Sequence, residues 1–529
     1  MLDKSVKVPL PEHGIAYKKM GDKTYVYYAT AVYRNEKGQP TCDRSSIGRL
    51  DEESGMLIPN RNYYEIYLKQ PQPPTGAIFG YGMYHVFSSL AKELGIPSLL
   101  KKYFPGKEDE ILTAAQYIFS EGNVMAYLED YTESHETFSH GIMSDKRASE
   151  LFASLREEDI LLFLREWMGK RKKGEYIAYD VTSVSTYSGG IPEAEWGYNR
   201  DKEKLPQINL GMYFGEESGL PLYYRMYPGS ITDKAHLKTM AEDNDLLGAK
   251  KLRYVMDRGF YSKENLCWLT EKGYRFVMAL PGSLNYVKDL IRKHREEIVN
   301  RSGRRLGKGL TYGKAFETTE LGFRMKVHLY YDAEKAARES EDLYDLIDAQ
   351  ENELRSMEEP PDRKLHFDRY LFINRSKDGK LGFTRNHTAI DEALAQCGFF
   401  AIAETDFAKD DAEILEIYRM RDTVEKSFDD LKNGIDMKRA RTQSSEGLRG
   451  KLFAAFLALI VRAVILNRLK EKTELTQMTH RKLVLELDKI KVLDFKAKTT
   501  PRLLNPLSKT ARNILAALGT DLIDGVCIG

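Results

Sequence analysis

The segment YRMRDTVEKSFDDLK, Tyr418 to Lys432, follows the lead-in DDAEILEI and reads with it as one amphipathic helix. At about 100° per residue, Ile414, Ile417, Tyr418, Val424, Phe428 and Leu431 fall in one arc. Arg421, Glu425 and Lys432 fall inside that same apolar arc, while Arg419, Asp422, Thr423, Lys426, Asp429 and Asp430 take the other face. A buried charge without a partner costs several kcal/mol. Two readings stay open: Arg421 and Glu425 pair along the helix, or the face lines a cleft that holds charged ligands.

Two further acids stand at the ends of apolar runs. Asp180 sits in YIAYDVTS, in or just after a strand, and Asp257 sits in YVMDRGF, at a strand's C-terminal end. Strand ends of that kind carry the ligand sites of α/β folds, although an Asp there is often only a turn or cap residue. With Glu425 on a covering helix, the three form a candidate carboxylate cluster. Two carboxylates ~4 Å apart repel by ~4 kcal/mol at an effective dielectric of ~20, so the cluster needs cations. Oxygen-only ligands suit Mg²⁺ or Mn²⁺. Two such ions would activate water and stabilise the leaving oxygen of a phosphodiester, with Arg421 and Lys432 gripping phosphate.

Around these residues the chain divides by texture. Residues 1–70 read as a small β-rich region, with TYVYYATAVYR as its clearest strand and NEKG as a turn. PQPPTG, Pro71 to Gly76, marks a linker. Residues 75–170 read as a helical domain, with a Ser154–Glu157 capping box opening its last helix. Residues 174–282 run β-β-β-α-β-α-β, which implies a mixed sheet with helices packed on it. That core resumes at 400–470, so residues 283–399 read as an insertion domain, with a DGK turn after RYLFINRS. Residues 471–529 read as helices and a tail.

Bulk properties exclude more than they assign. The 529 residues carry a net charge of +1, so a nucleic-acid surface has to be a local concentration of bases. One such run, 432–451, holds Lys432, Lys438, Arg439, Arg441, Arg449 and Lys451 against Asp436 and Glu446. A second, 292–308, has seven bases against two glutamates. Ordinary solvated surface is the plain alternative for each. The four cysteines, Cys42, Cys267, Cys397 and Cys527, form no C-x-x-C pair, which points to neither a zinc site nor a disulfide framework. The apolar run Leu452 to Leu466 contains Arg462 and is short for a membrane span of ~20 residues, so it reads as a buried helix.

Tyr418, Arg421, Glu425 and Lys432 together match Y-x2-R-x3-E-x6-K, the signature of DDE transposases in the insertion-sequence-4 family of bacteria. YDVTS and MDRGF resemble that family's two Asp motifs. YRNEKGQPTCDRSSIGRLDEESGMLIPN and GFFAIAETDF resemble its insertion-sequence-1634 subgroup. The resemblance implies an α/β protein with an RNase H-like catalytic core interrupted by a large insertion, and it assigns DNA binding or dimerisation to the helical domain at 75–170. It implies that Asp180, Asp257 and Glu425 are the catalytic residues and hold two Mg²⁺ (or Mn²⁺) ions, and that the reaction is cut-and-paste transposition. The implied partner is double-stranded DNA, both terminal inverted repeats and target, engaged by a homodimer in the bacterial cytoplasm at the nucleoid, with no membrane. DNA contacts are expected at Tyr418, Arg421, Lys432, Lys438, Arg439 and position 442, with Trp196 either stacking on a base or packing. Two alternatives remain: a DNA-binding descendant without catalysis, and an aspartyl phosphotransferase. Against the second, Thr182 stands where such enzymes place another Asp.

Overall fold

Alternating β-branched and aromatic residues build the first strands. The computed structural model describes residues 6–69, 77–170, 174–199, 201–247, 252–357, 367, 369–375, 381–494 and 502–522. The linker at 71–76, the DGK turn at 378–380 and Cys527 lie outside the described residues. The chain divides into two compact units, Met1–Tyr81 with Lys489–Ser508 and Leu522–Gly529, and Gly82–Asp488 with Lys509–Asp521.

In the first unit, β1 (Ile15–Met20), β2 (Lys23–Arg34), β3 (Pro40–Leu50) and β4 (Leu57–Pro59) form an antiparallel meander in sequence order. Val26, Ile47, Leu57, Tyr63 and Tyr64 make its core. The next strand, β5 (Ala77–Gly80), pairs antiparallel with Lys491–Asp494, which pairs in turn with Leu503–Leu504. Strands of four and two residues carry too little pattern to read from sequence, so the reading of 471–529 as helices and a tail contains neither of them.

The second unit opens with helices α1 (Gly82–Glu93), α2 (Ile96–Tyr103), α3 (Glu108–Glu121), α4 (Leu128–Ser134), α5 (Asp145–Ala153) and α6 (Glu157–Met168). The Ser154–Glu157 capping box does not form. Only three residues separate α5 from α6, and Ser154 closes α5 instead, its hydroxyl donating to Leu151 O at 2.7 Å.

The sheet follows: β6 (Ile177–Ser185), β7 (Gln207–Gly215), β8 (Pro221–Pro228), α7 (Asp233–Leu247), β9 (Arg253–Met256), α8 (Lys263–Glu271) and β10 (Arg275–Leu280). Next come α9 (Asn285–Ile298), β11 (Thr311–Thr318), β12 (Met325–Asp332), α10 (Ala333–Arg355), β13 (Leu371–Arg375), β14 (Leu381–Arg385), α11 (His387–Leu394) and β15 (Phe399–Glu404). The eight-stranded order is β11-β12-β15-β10-β9-β6-β7-β8. Strands β6, β9 and β10 run parallel, and the remaining neighbours pair antiparallel. Two strands of the 283–399 stretch therefore extend the large sheet through β15. The rest of that stretch, α10, the β13–β14 hairpin and α11, has a small core of its own around Ile347, Leu354, Leu371 and Ile390.

The helix of the opening quotation is segmented. It comprises α12 (Asp411–Arg419), α13 (Arg421–Asp429) and a π-helical turn, Asp430–Gly434, and the backbone at Met420 stays right-handed (φ −63°, ψ −17°). A capping box starts it: Asp410 accepts from the N–H groups of Ala412 and Glu413 at 2.9 Å, and Glu413 accepts from that of Asp410 at 3.0 Å. After it come α14 (Ser445–Lys470), α15 (His480–Asp488) and α16 (Lys509–Leu518). Helix α14 is long and apolar enough to cross a membrane by length and composition, yet 83% of its most apolar window is buried. Its Arg462 is explained by Asp430, whose carboxylate accepts from the guanidinium.

Helices α14 and α5 touch closely at Gly450, where a Cβ would fall 2.2 Å from Phe152 O. Gly to Ala in a free helix gains up to ~1 kcal/mol. Here Gly450→Ala is expected to destabilise the protein by about 1–3 kcal/mol, because the backbone has to move; chemical denaturation of the two proteins measures the sign.

Candidate active site

The sheet register brings the two aspartates level. Strand β6 is buried along all nine residues, and Asp180 is 1% exposed. The offset of 77 residues that pairs Ile177 with Tyr254 and Ala178 with Val255 also aligns 180 with 257. Neighbouring strands lie about 4.8 Å apart. Asp257 leaves the end of β9 and caps the 3₁₀ turn Arg258–Phe260, accepting from Arg258 N at 2.7 Å. Asp180 accepts from Val181 N at 2.8 Å.

Helices α12 and α13 lie over these strands, α12 against β9, β10 and β11 and α13 against β6. Ile414, Ile417, Val424, Phe428 and Leu431 are buried, as the arc requires. Arg421 is held largely inside with its guanidinium between acids. Nη2 meets Glu425 Oε1 at 2.7 Å and Nη1 lies 3.6 Å from Asp257 Oδ2. Its Cζ lies 5.5 Å from the Tyr418 ring centre. Burial disfavours its charge, but Tyr418, Asp257, Glu425 and Asp180 together hold its pKa above the usual value. All three predicted carboxylates thus act on one guanidinium. The plain reading, an Arg421–Glu425 pair, holds, and the Asp257 contact holds beside it.

Glu425 differs from its neighbours on the arc, since its side chain is 54% exposed. Among the described residues no three His, Cys, Asp or Glu side chains are grouped closely enough to hold a metal ion. The donor chemistry of Asp180, Asp257 and Glu425 fits Mg²⁺ or Mn²⁺. Their arrangement has Arg421 in the place of the positive charge. Tyr418 brings its hydroxyl 3.4 Å from Asp257 Oδ1, and burial first, then Asp257, pushes its phenol up to about 12. A cleft of about 690 Å³ opens beside this group, with Asp257, Arg258, Tyr418, Arg419 and Arg421 on its wall.

The basic run is organised by contacts that the sequence does not reveal. Lys432, in the π-helical turn, is buried and donates to Asp201 Oδ2 at 2.6 Å. Arg439 and Lys438 lie 3.0 and 3.6 Å from Glu203 Oε1. Position 442 is corrected: it is Thr442, and the guanidinium of the run belongs to Arg441, which pairs with Asp436 at 3.2 Å. Trp196 is 65% exposed, so it is not core packing. In the 292–308 run, Arg292 pairs with Asp289 at 2.8 Å and His294 with Glu297 at 3.3 Å.

Two buried residues anchor the run from beneath: Asn123, which sequence reasoning missed, and Lys451, which it counted with the surface bases. Asn123 donates to Asp436 O at 2.5 Å and to Arg439 O at 2.8 Å. Lys451, 1% exposed, donates to Ala440 O at 3.2 Å, Asn123 Oδ1 at 3.3 Å and Arg441 O at 3.4 Å. The run also continues strand β6: Ser185 N donates to Lys438 O at 3.1 Å and Ala440 N to Ser185 O at 3.0 Å. The available signal was a lysine and an arginine inside an otherwise apolar helix.

Burial, with Arg441 adding to it, pushes the Lys451 ammonium down to about 7, against 10.5 for a free side chain. Between those values the unfolded chain binds a proton that the folded protein does not, so stability rises as pH increases from 7 toward 10. Lys451→Met is expected to remove up to about 1.4 kcal/mol per pH unit of that slope. Urea unfolding at several pH values measures it.

Residues 171–461, more than half of the chain, match the family of the transposase DDE domain. No curated protein matches. Among solved structures, the cryo-EM structure of a piggyBac transposase synaptic complex with hairpin DNA is similar at 10% identity and a TM-score of 0.36, over 77% of this chain and 76% of that one. That likeness is too weak to bear on the fold or the chemistry.

Proposed function

This chain belongs to the transposase DDE domain family, and from that premise we propose that it is a metal-dependent DNA transposase of the insertion-sequence-4 family, 1634-like subgroup. On this reading it hydrolyses the phosphodiester at its element's ends and joins the freed 3′-OH to target DNA by cut-and-paste. The observation that supports the reading is Arg421, which meets Glu425 at 2.7 Å and lies 3.6 Å from Asp257, with the Asp180 charge also favouring its guanidinium. The order β8-β7-β6-β9-β10, three antiparallel strands and then two parallel ones, supports an RNase H-like core.

Asp180, Asp257 and Glu425 would hold Mg²⁺ or Mn²⁺, which supplies an activated oxygen nucleophile and charge neutralisation at phosphorus. Arg421 and Lys432 bind phosphate oxygens, the first as a fork and the second as a point charge. A phenol pushed up to about 12 stays protonated near neutral pH, so Tyr418 orients Asp257 by its hydroxyl and is not the nucleophile. Holding two element ends together calls for a homodimer on double-stranded DNA, and the bacterial nucleoid is the setting.

The exposed Glu425, paired with Arg421, favours one second reading: a descendant that binds DNA without cutting it. One set of assays separates the two. Asp180→Asn, Asp257→Asn and Glu425→Gln are each expected to lower strand cleavage about a thousandfold or more, as loss of several kcal/mol of metal assistance implies, and to keep binding of the terminal repeats. Wild-type protein that binds those repeats but never nicks them with Mg²⁺ or Mn²⁺ establishes the descendant. Loss of binding in all three folded variants removes the catalytic assignment.

A further inference from the structure

Between β6 and β7 the described residues 186–199 and 201–206 belong to a loop closed at its base. Thr186 N donates to Pro206 O at 3.0 Å, and Glu195 and Gln207 exchange two backbone hydrogen bonds of 3.0 Å. The loop shows Tyr187, Trp196 and Tyr198 to solvent. Two of its four carboxylates behave otherwise. Asp201 takes the ammonium of Lys432, and Glu203 takes Arg439 and Lys438. Burial pushes the Glu203 carboxyl up, but Ser185, Arg439 and Lys438 outweigh it and hold it below the usual carboxylate range. The Lys432 side chain keeps 10% of its surface and that of Glu203 15%, while Asp201, Arg439 and Lys438 keep 26%, 29% and 40%, so each pair has one sheltered member and is partly screened.

Three cations on one run therefore face oxygen anions at hydrogen-bond or near-contact distance, which is what a phosphate backbone presents. They are the same cations that the functional reading assigns to DNA. Cations fixed close together repel, and the loop carboxylates relieve that repulsion when no nucleic acid is present. The backbone of the run is meanwhile fixed by Asn123, Lys451 and Ser185. A counter-anion can thus leave without the run losing its shape.

We propose that Asp201 and Glu203 are resident phosphate surrogates, which occupy Lys432, Lys438 and Arg439 in the DNA-free protein and yield them to a DNA backbone. The proposal rests on the DNA reading above. A duplex then has to displace the protein's own carboxylates before it gains these contacts, which weakens binding to arbitrary DNA. It also makes binding less sensitive to salt, because cations already paired within the protein free no DNA counterions beyond those the displaced carboxylates recapture.

The test uses the full-length protein, a fluorescent duplex and anisotropy over a range of salt. Asp201→Asn/Glu203→Gln keeps side-chain shape and acceptor oxygens. The control, Glu264→Gln/Glu271→Gln on α8, removes the same charge at two exposed positions. The loop variant is expected to bind about tenfold tighter at low salt, with a slope of log affinity against log salt steeper by about 2. The control is expected to shift affinity less than about threefold, with its slope unchanged. A loop variant no different from the control overturns the proposal. Failure of every form to bind, wild type included, overturns the DNA reading instead. Thermal unfolding confirms that each variant is folded, and if the double variant is not, Asp201→Asn alone is judged by the same criteria.

Discussion

One guanidinium makes the rest of the site tenable. Carboxylates such as those of Asp180, Asp257 and Glu425 repel each other where they approach, and water cannot screen them well where Asp180 is buried. Arg421 lies among them, in contact with Glu425 and within ion-pair distance of Asp257, and its charge is favoured by all three. A single side chain therefore ties α13 to the end of β9. It is also a group that cannot lose its charge, so the tie does not depend on pH in the physiological range.

Several unrelated pieces of chain hold that arrangement. The capping box at Asp410 and Glu413 starts α12. From a neighbouring part of the same sheet, His328 on β12 meets Asp411 at 2.6 Å, and the Tyr330 hydroxyl donates to Asp411 O at 2.8 Å. The stretch between the second aspartate and the glutamate thus helps to position the helix that carries the glutamate. At the other end Arg462, deep in α14, grips Asp430 where the helix turns π-helical. That turn buries Lys432 instead of letting it swing into solvent.

Charge is balanced locally as well as in sum. A net charge of +1 over 529 residues conceals a run of four excess positive charges at 432–451. The compensating acids, Asp201 and Glu203, arrive from a loop more than two hundred residues earlier. Buried Lys451 serves a different end: its ammonium reaches backbone carbonyls of the run that no strand partner satisfies.

The linear order of residues determined much by itself. The 3.6-residue period around 411–432 shows a helix with charges on its apolar side, and the Tyr418–Arg421–Glu425–Lys432 spacing singles it out. An apolar strand that contains Asp180 and another that leads into Asp257 are equally plain, because a strand's burial and a carboxylate in it or just after it are both local signals. Only the tertiary structure decided that those aspartates are level, since register depends on pairing between strands 77 residues apart. It alone showed that Glu425 stands at the solvent edge and that Asp201, which no sequence signal singled out, answers Lys432. Periodicity fixes which face a side chain takes on its own element. Which charges meet across elements is set by packing, and packing is a property of the whole chain.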